Sequence, residues 1–376
     1  MTLAQKIGQL LMVGIEGQSP SKAITSLIQK NYFGGVILFS RNLHDPLQCA
    51  RLIKSLKEAS KETPLFIGID EEGGRVSRLP HRAGGPAEAL VVPPFTSFPA
   101  ARTLGKCNDV PLTYNCAEAM AEELFAVGMN MNFAPVLDVD TNPKNPIIGD
   151  RSFGKTPLVV EEHGLAMMSG LQDNRVISCG KHFPGHGDTA HDSHTTLPVV
   201  DLSLSQLMNR ELKPFIHLVQ NRLATVMTAH VLYPKVDPDY PATLSKKILS
   251  SILRQAIGFS GMVVSDDLEM KGLKKWSIAE AAVLAVQAGC DLLLICSGKE
   301  SPPIEAMEAL IHAVEKGEIS EERIDQSLNR ILELKERFLL HGEDAPTDAK
   351  EIKKWVGCDR HHALVKTIEK KAAASH

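Results

Sequence analysis

The 376-residue sequence lacks several features that would place it quickly. It has no apolar stretch approaching the roughly 20 residues of a membrane-spanning helix. The opening "MTLAQKIGQLLMVGIEGQ" carries neither a basic leader nor a small-residue cleavage site, so no secretory signal is expected. The seven cysteines (49, 107, 116, 179, 290, 296 and 358) form no CxxC pair. Their odd, scattered number suits reduced thiols in or near a core, and cytoplasmic localisation is the expectation. Charge of one sign is missing too. Formal net charge is −4, with both signs mixed along the chain, which argues against a nucleic-acid surface. Tandem repeats and a clear boundary to a second domain are absent.

What is present is a core former. Hydrophobic residues make up 43% of the chain and charged residues 23%, the balance of a folded globular protein. Eight short apolar runs recur: "QLLMVGIEG", "GGVILFS", "PLFIGID", "MNFAPVLDV", "VISCGKHF", "ATVMTAHV", "GMVVSDD" and "CDLLLIC". Continuous runs of this kind suit parallel strands buried on both faces. Amphipathic stretches lie between them, among them "DPLQCARLIKSLKEASK", "TYNCAEAMAEELFAVG", "LSLSQLMNRELKPFIHLVQ" and "SIAEAAVLAVQAG". Eight strands separated by helices predict an α/β protein, a (β/α)8 TIM-type barrel over residues 1–340, built as one domain. The polar tail, 341–376, is expected to carry a helix over "AKEIKKWVGCDRHHALVKTIEKK" and to pack on the barrel or fray.

Active sites of such barrels lie at the C-terminal ends of the strands. The third strand runs into Asp70, Glu71 and Glu72, and the fourth into Asp138 and Asp140, followed by Asp150 and Arg151. The fifth ends in Lys181 and His182, the sixth at His230, and the seventh at Asp266 and Asp267. Taken singly, Asp70 and Glu72 read more readily as helix or turn caps and Arg151 as the partner of Asp150 or a core-edge carboxylate, while His230 reads equally as a satisfied barrel-edge histidine. Lys181 is different, because a lysine closing an apolar strand needs a partner. One of Asp266 and Asp267 is expected to face the mouth while the other turns outward or caps the next segment of chain.

The fifth strand continues into "KHFPGHGDTAHDSHTTLP", where titratable groups crowd beside turn formers. A metal site would use His182 with His186, or His186 with His191 and His194. The first strand offers no His-x-His pair to complete it, and no cysteine stands near. Acid/base chemistry fits the same residues. Asp192 stands two positions before His194, a spacing at which both side chains can share one face. A carboxylate so placed would orient the imidazole and stabilise its protonated form. A carboxylate such as Asp266 could then act as nucleophile at a sugar carbon.

At these residues the sequence closely resembles glycoside hydrolase family 3, in its NagZ-type β-N-acetylglucosaminidase branch. The resemblance rests on "GIDEEGGRVSRL", "NMNFAPVLDVDTNP", "NPIIGDRSFG", "KHFPGHGDTAHDSHTTLP", "VMTAHVLYP" and "VVSDDLEMKGL". It implies a retaining, exo-acting enzyme needing no cofactor or metal. Asp266 would be the nucleophile and His194 the acid/base, partnered by Asp192. Asp70, Arg151, Lys181 and His182 would hold the sugar hydroxyls. The family's usual glutamine after the third-strand aspartate is Glu71 here. With the expected localisation, the resemblance implies a small glycan substrate, an N-acetylglucosamine-containing muropeptide from peptidoglycan, with neither nucleic acid nor membrane as partner. A metal-dependent barrel hydrolase, an N-acetylglucosaminide phosphorylase and a non-catalytic sugar-binding barrel are the competing readings.

Overall fold

The computed structural model describes the chain except at positions 31, 61, 82–90, 191, 194–195, 341–347 and 376. All eight apolar runs contribute strands to one parallel sheet: β1 (Leu11–Gly14), β2 (Gly35–Leu38), β3 (Phe66–Ile69), β4 (Met131–Asn132), β5 (Ile177–Phe183), β6 (Thr225–Thr228), β7 (Met262–Val264) and β8 (Leu293–Ile295). Each pairs with the next in chain order. β1 pairs with β8 through Leu11↔Leu293 to Val13↔Ile295, and a parallel bridge Val264↔Leu292 joins β7 to β8. The ring is therefore closed, as a (β/α)8 barrel requires. Every residue of these eight strands is buried. That double burial is the physical reason the runs are continuously apolar rather than alternating.

β4 is shorter than its apolar run. Pro135 has no N–H to give, so the ladder beyond Asn132 continues through scattered bonds such as Cys179 N to Ala134 O and Lys181 N to Pro135 O.

The helices start where the chain offers caps. Asp45 accepts from the amides of Leu47 and Gln48 to open Pro46–Ala59, and Ser277 with Glu280 forms a capping box on Ile278–Ala288. The stretch "LSLSQLMNRELKPFIHLVQ" forms two helices, Leu204–Asn209 and Leu212–Gln220, rather than one. Helices Leu3–Gln9 and Pro157–Asp173 were not legible as such. The second buries Val160, His163, Ala166, Met167, Met168 and Leu171, which leaves little polar face to betray a period. At Gly170 a Cβ would come within 2.6 Å of Tyr114 O, so only glycine lets this helix lie so close to its neighbour Val110–Ala126.

The tail also forms two helices, Ala349–Trp355 and Asp359–Ala374, not one. The break falls at Gly357, with φ +58°. The second helix is fastened to Val110–Ala126. Buried His361 lies 2.8 Å from Glu122 Oε2 and 2.8 Å from Glu123 Oε1, and these carboxylates outweigh burial to raise its pKa to about 9. Among the described residues, no helix is long and apolar enough to cross a membrane.

Candidate active site

A cavity of about 610 Å³ opens at the C-terminal ends of the strands. Its lining includes Asp70, Arg151, Lys181, His182, Asp192 and Asp266, six of the seven residues the sequence singled out. The seventh, His194, and the alternative ligand His191 lie outside the described residues.

One wall is an ion network. Buried Lys181, at the end of β5, places Nζ 2.8 Å from Asp70 Oδ1 and 2.6 Å from Glu72 Oε1. Arg151 grips Glu72 with both forks, Nε to Oε2 and Nη2 to Oε1, each at 2.8 Å. Burial works to raise the Glu72 pKa, but Arg151 and Lys181 win and hold the carboxyl well below the usual range. The same carboxylates keep Lys181 charged: burial lowers its pKa, while Asp70 and Glu72 raise it above the ordinary value. Arg78 adds a third cation, with Nη2 3.7 Å from Asp70 Oδ2, and this mutual pairing is what makes the buried charge tolerable. Arg151 does not pair with its neighbour Asp150, which takes Arg75 Nε at 2.7 Å instead.

His182 is oriented from behind. Its Nδ1 lies 2.7 Å from Asp138 Oδ2, and Asp138 Oδ1 also accepts from the amides of His182 and His186. Burial opposes ionisation of Asp138, yet His182 and the other donors leave its pKa lowered. Nε2 of His182 is the nitrogen left toward Arg151, 3.4 Å from Nη2.

His186 is spent on structure. Its Nδ1 faces Thr189 Oγ1 at 2.9 Å and its Nε2 faces Ser193 Oγ at 3.1 Å. Burial, then the neighbouring His182, pushes its pKa down to about 4, so the ring is neutral near pH 7. Both histidines of the candidate His182–His186 metal pair therefore have protein partners on each ring nitrogen. Among the described residues, no group of three His, Cys, Asp or Glu side chains forms a metal-binding set.

The loop after β5 is held tightly at its start. A Cβ on Gly187 would meet Val139 O at 1.8 Å, which is why glycine stands there. Further on, Ser193 O accepts from Gly272 N at 3.1 Å. That bond ties the Asp192 segment to the segment following Asp266, so two loops far apart in sequence share one rim.

At the end of β7 both aspartates border the cavity. Asp266 Oδ1 accepts from Asp267 N at 2.8 Å. Asp267 is the cap: its Oδ1 accepts from Glu269 N at 3.1 Å and Cys296 N at 3.2 Å. Burial, aided by the charge of Asp266, raises the Asp267 pKa to about 7. His230 is the satisfied barrel-edge histidine. It is fully buried, with Nδ1 2.7 Å from Thr243 Oγ1 and Nε2 2.9 Å from the Asp267 carbonyl.

Two structural partners were not foreseen as such: Glu72, the hub between Lys181 and Arg151, and Asp138, behind His182. Glu72 had a signal in its i+2 spacing from Asp70, which puts both carboxylates within reach of one lysine.

This geometry has known relatives. The model of the glycosyl hydrolase family 3 N-terminal domain matches residues 2–334. The chain belongs to glycoside hydrolase family 3. A β-hexosaminidase of Nitrosomonas eutropha is 36% identical over 345 residues, spanning 89% of this chain and 95% of that protein. One from Thiobacillus denitrificans is 43% identical over 274 residues, 71% of this chain and 72% of its own. Among solved structures, a family 3 β-N-acetylglucosaminidase from Paenibacillus sp. superposes with a TM-score of 0.92 at 42% identity, covering 99% of this chain and 69% of that one.

Proposed function

We propose that this family 3 hydrolase is a retaining, exo-acting β-N-acetylglucosaminidase that removes terminal non-reducing N-acetylglucosamine through a glycosyl-aspartate intermediate. The observation that carries the reading is the sharing of one cavity by Asp266, the Lys181–Asp70 pair and the Asp192 segment. A volume of about 610 Å³ suits a sugar with part of its aglycone.

In the first step an Asp266 carboxylate oxygen bonds to the anomeric carbon. The bond to the leaving oxygen breaks, and that oxygen takes a proton from His194. Asp192 orients the imidazole and stabilises its charged form. In the second step water attacks the same carbon, His194 takes back a proton, and Asp266 leaves as carboxylate, which restores the original configuration. Asp70, Lys181, Arg151 and His182 hold the hydroxyls by charge-assisted hydrogen bonds. Lys181 and Arg151 are themselves held in place by Asp70 and Glu72, so their remaining donors meet the sugar in a fixed geometry.

The substrate class is drawn from relatives named for hexosamine cleavage; peptidoglycan-derived muropeptides are the natural glycan proposed. The test is turnover of a chromogenic N-acetylglucosaminide after exhaustive chelation, with the anomer of the released sugar followed by NMR. Activity that survives chelation and releases the β-anomer first is expected. Loss of activity restored by a divalent ion, or first release of the α-anomer, would overturn the reading.

A further inference from the structure

A second cavity, of about 520 Å³, opens at the opposite end of the barrel. Arg254, which borders it, donates to the carbonyls of Phe259 and Gly261 just ahead of β7, and Asp291 beneath it precedes β8. These are the N-terminal strand ends, away from Asp266. Four cations line this cavity: Lys246, Arg254, Arg323 and Arg330.

Among the described residues, only two carboxylates answer them. Asp291 is fully buried and its oxygens are filled. Oδ1 accepts from Ser327 Oγ at 2.7 Å and Arg330 Nη1 at 3.1 Å, while Oδ2 accepts from Val263 N at 2.9 Å and from Arg254. Arg323 stands 3.5 Å from Oδ1. Glu318 is the one carboxylate on the cavity wall among the described residues. Four cations against these two leave a surplus of about two positive charges in a concave, partly desolvated space. Arg254 registers the crowding. Burial, with Arg330 and Arg323 adding to it and Asp291 opposing, pushes its pKa down to about 10.

Neutralising Asp291 needs one arginine, not three with a lysine beside them. Among the described residues Lys246 has no hydrogen-bond or ion-pair partner, and Arg330 engages only through Nη1, leaving Nε and Nη2 unused.

We propose that this cavity binds a phosphate dianion, either inorganic phosphate or the phosphate of a phosphorylated sugar. A phosphate monoester carries about −1.5 to −2 charges at neutral pH, matching the surplus. Guanidinium forks and an ammonium approaching from separate elements suit its tetrahedral oxygens. The volume far exceeds the about 30 Å³ share of one water, so room remains for a hydroxylated body beside Gln287, Ser320 and Gln326.

Calorimetric titration of the full chain in phosphate-free buffer tests this, with sodium phosphate, glucose 6-phosphate and glucose as probes. Saturable binding of at least one phosphate-bearing probe is expected, weakened about tenfold or more in Arg330→Gln and in Lys246→Gln. Tighter binding of glucose 6-phosphate assigns the phosphorylated sugar; equal or tighter binding of inorganic phosphate assigns the free anion. Glycosidase turnover, at the other end of the barrel, should match wild type in both variants. Should Arg330→Gln fail to fold, Lys246→Gln, which touches no buried partner, carries the test. The proposal falls if neither anion binds saturably at millimolar concentration, if glucose binds as well as its phosphate, or if the variants leave binding unchanged.

Discussion

The two ends of this barrel both bury charge, and they spend it differently. At the mouth, Lys181, Arg151 and Arg78 are paired with Asp70 and Glu72 on the wall of the cavity that Asp266 also lines. At the foot, Asp291 is wrapped by Arg254, Arg323 and Arg330, and Lys335 is buried with Nζ 2.7 Å from Gln9 Oε1. The mouth gathers its paired charges around an open cavity; the foot holds its carboxylate still so that strands and helices stay joined. Similar residue types thus line an open cavity at one end and join the frame at the other, and the difference is where the carboxylate sits: Asp70 on the cavity wall, Asp291 fully buried.

The comparison can be broken by moving each end separately. The largest effect is expected for Asp266→Asn: a loss of about 10⁴-fold or more in kcat, with thermal unfolding near wild type, measured on a chromogenic N-acetylglucosaminide. If the variant keeps most of its activity, the mouth carries no nucleophile at β7. Next, His194→Ala should lower kcat by about 10²–10⁴-fold, with substrates carrying acidic leaving groups largely spared and Asp192→Ala changing in the same direction. Equal losses for all leaving groups would argue against proton donation.

At the foot the readout changes from rate to stability. Asp291→Asn leaves three guanidiniums around a neutral amide and should destabilise the fold by about 3–5 kcal/mol in denaturant unfolding, while kcat per folded molecule holds. A rate defect without a stability defect would erase the distinction between the ends.

The smallest effects are pH slopes of opposite sign. Buried Glu71, at the mouth side, has its pKa raised from about 4.5 to about 8 by burial, aided by neighbouring Glu123 and Glu72. The folded state then binds the extra proton, so this group's contribution is full below pH 4.5 and is lost as pH rises through about 8. Burial lowers Lys335 from about 10.5 to about 7, so its contribution is present above pH 10.5 and lost as pH falls toward 7. Between pH 7 and 8 each amounts to about 1 kcal/mol, in opposite directions. Relative to wild type, Glu71→Gln should gain stability as pH rises over that interval and Lys335→Met should lose it. Parallel slopes in the two variants would contradict the assignment.

Much of this was legible in the sequence for one reason: a barrel strand buried on both faces is written as an unbroken apolar run, and the barrel places the residue after each run at the mouth. Asp70, Lys181, His182 and Asp266 could be placed that way. The grip of Arg151 on Glu72 could not, because 79 residues separate them and nothing local marks the pair. Helix Pro157–Asp173 escaped because it is covered nearly all round, and the tail helix was over-extended because Gly357 gives little warning of a left-handed turn. Glu71 stood out only as a carboxylate where the resemblance expects an amide. Its burial, with Oε1 lacking any partner among the described residues, gives the physical content: a protonated acid can fill an amide's place.

The most direct test of the central claim is to incubate the enzyme with a 5-fluoro N-acetylglucosaminyl donor, digest it, and map the modified peptide by mass spectrometry. The account predicts one sugar per chain, attached to Asp266 within "GMVVSDDLEMK". A sugar carried on any other residue, or inactivation with no covalent adduct, would contradict it.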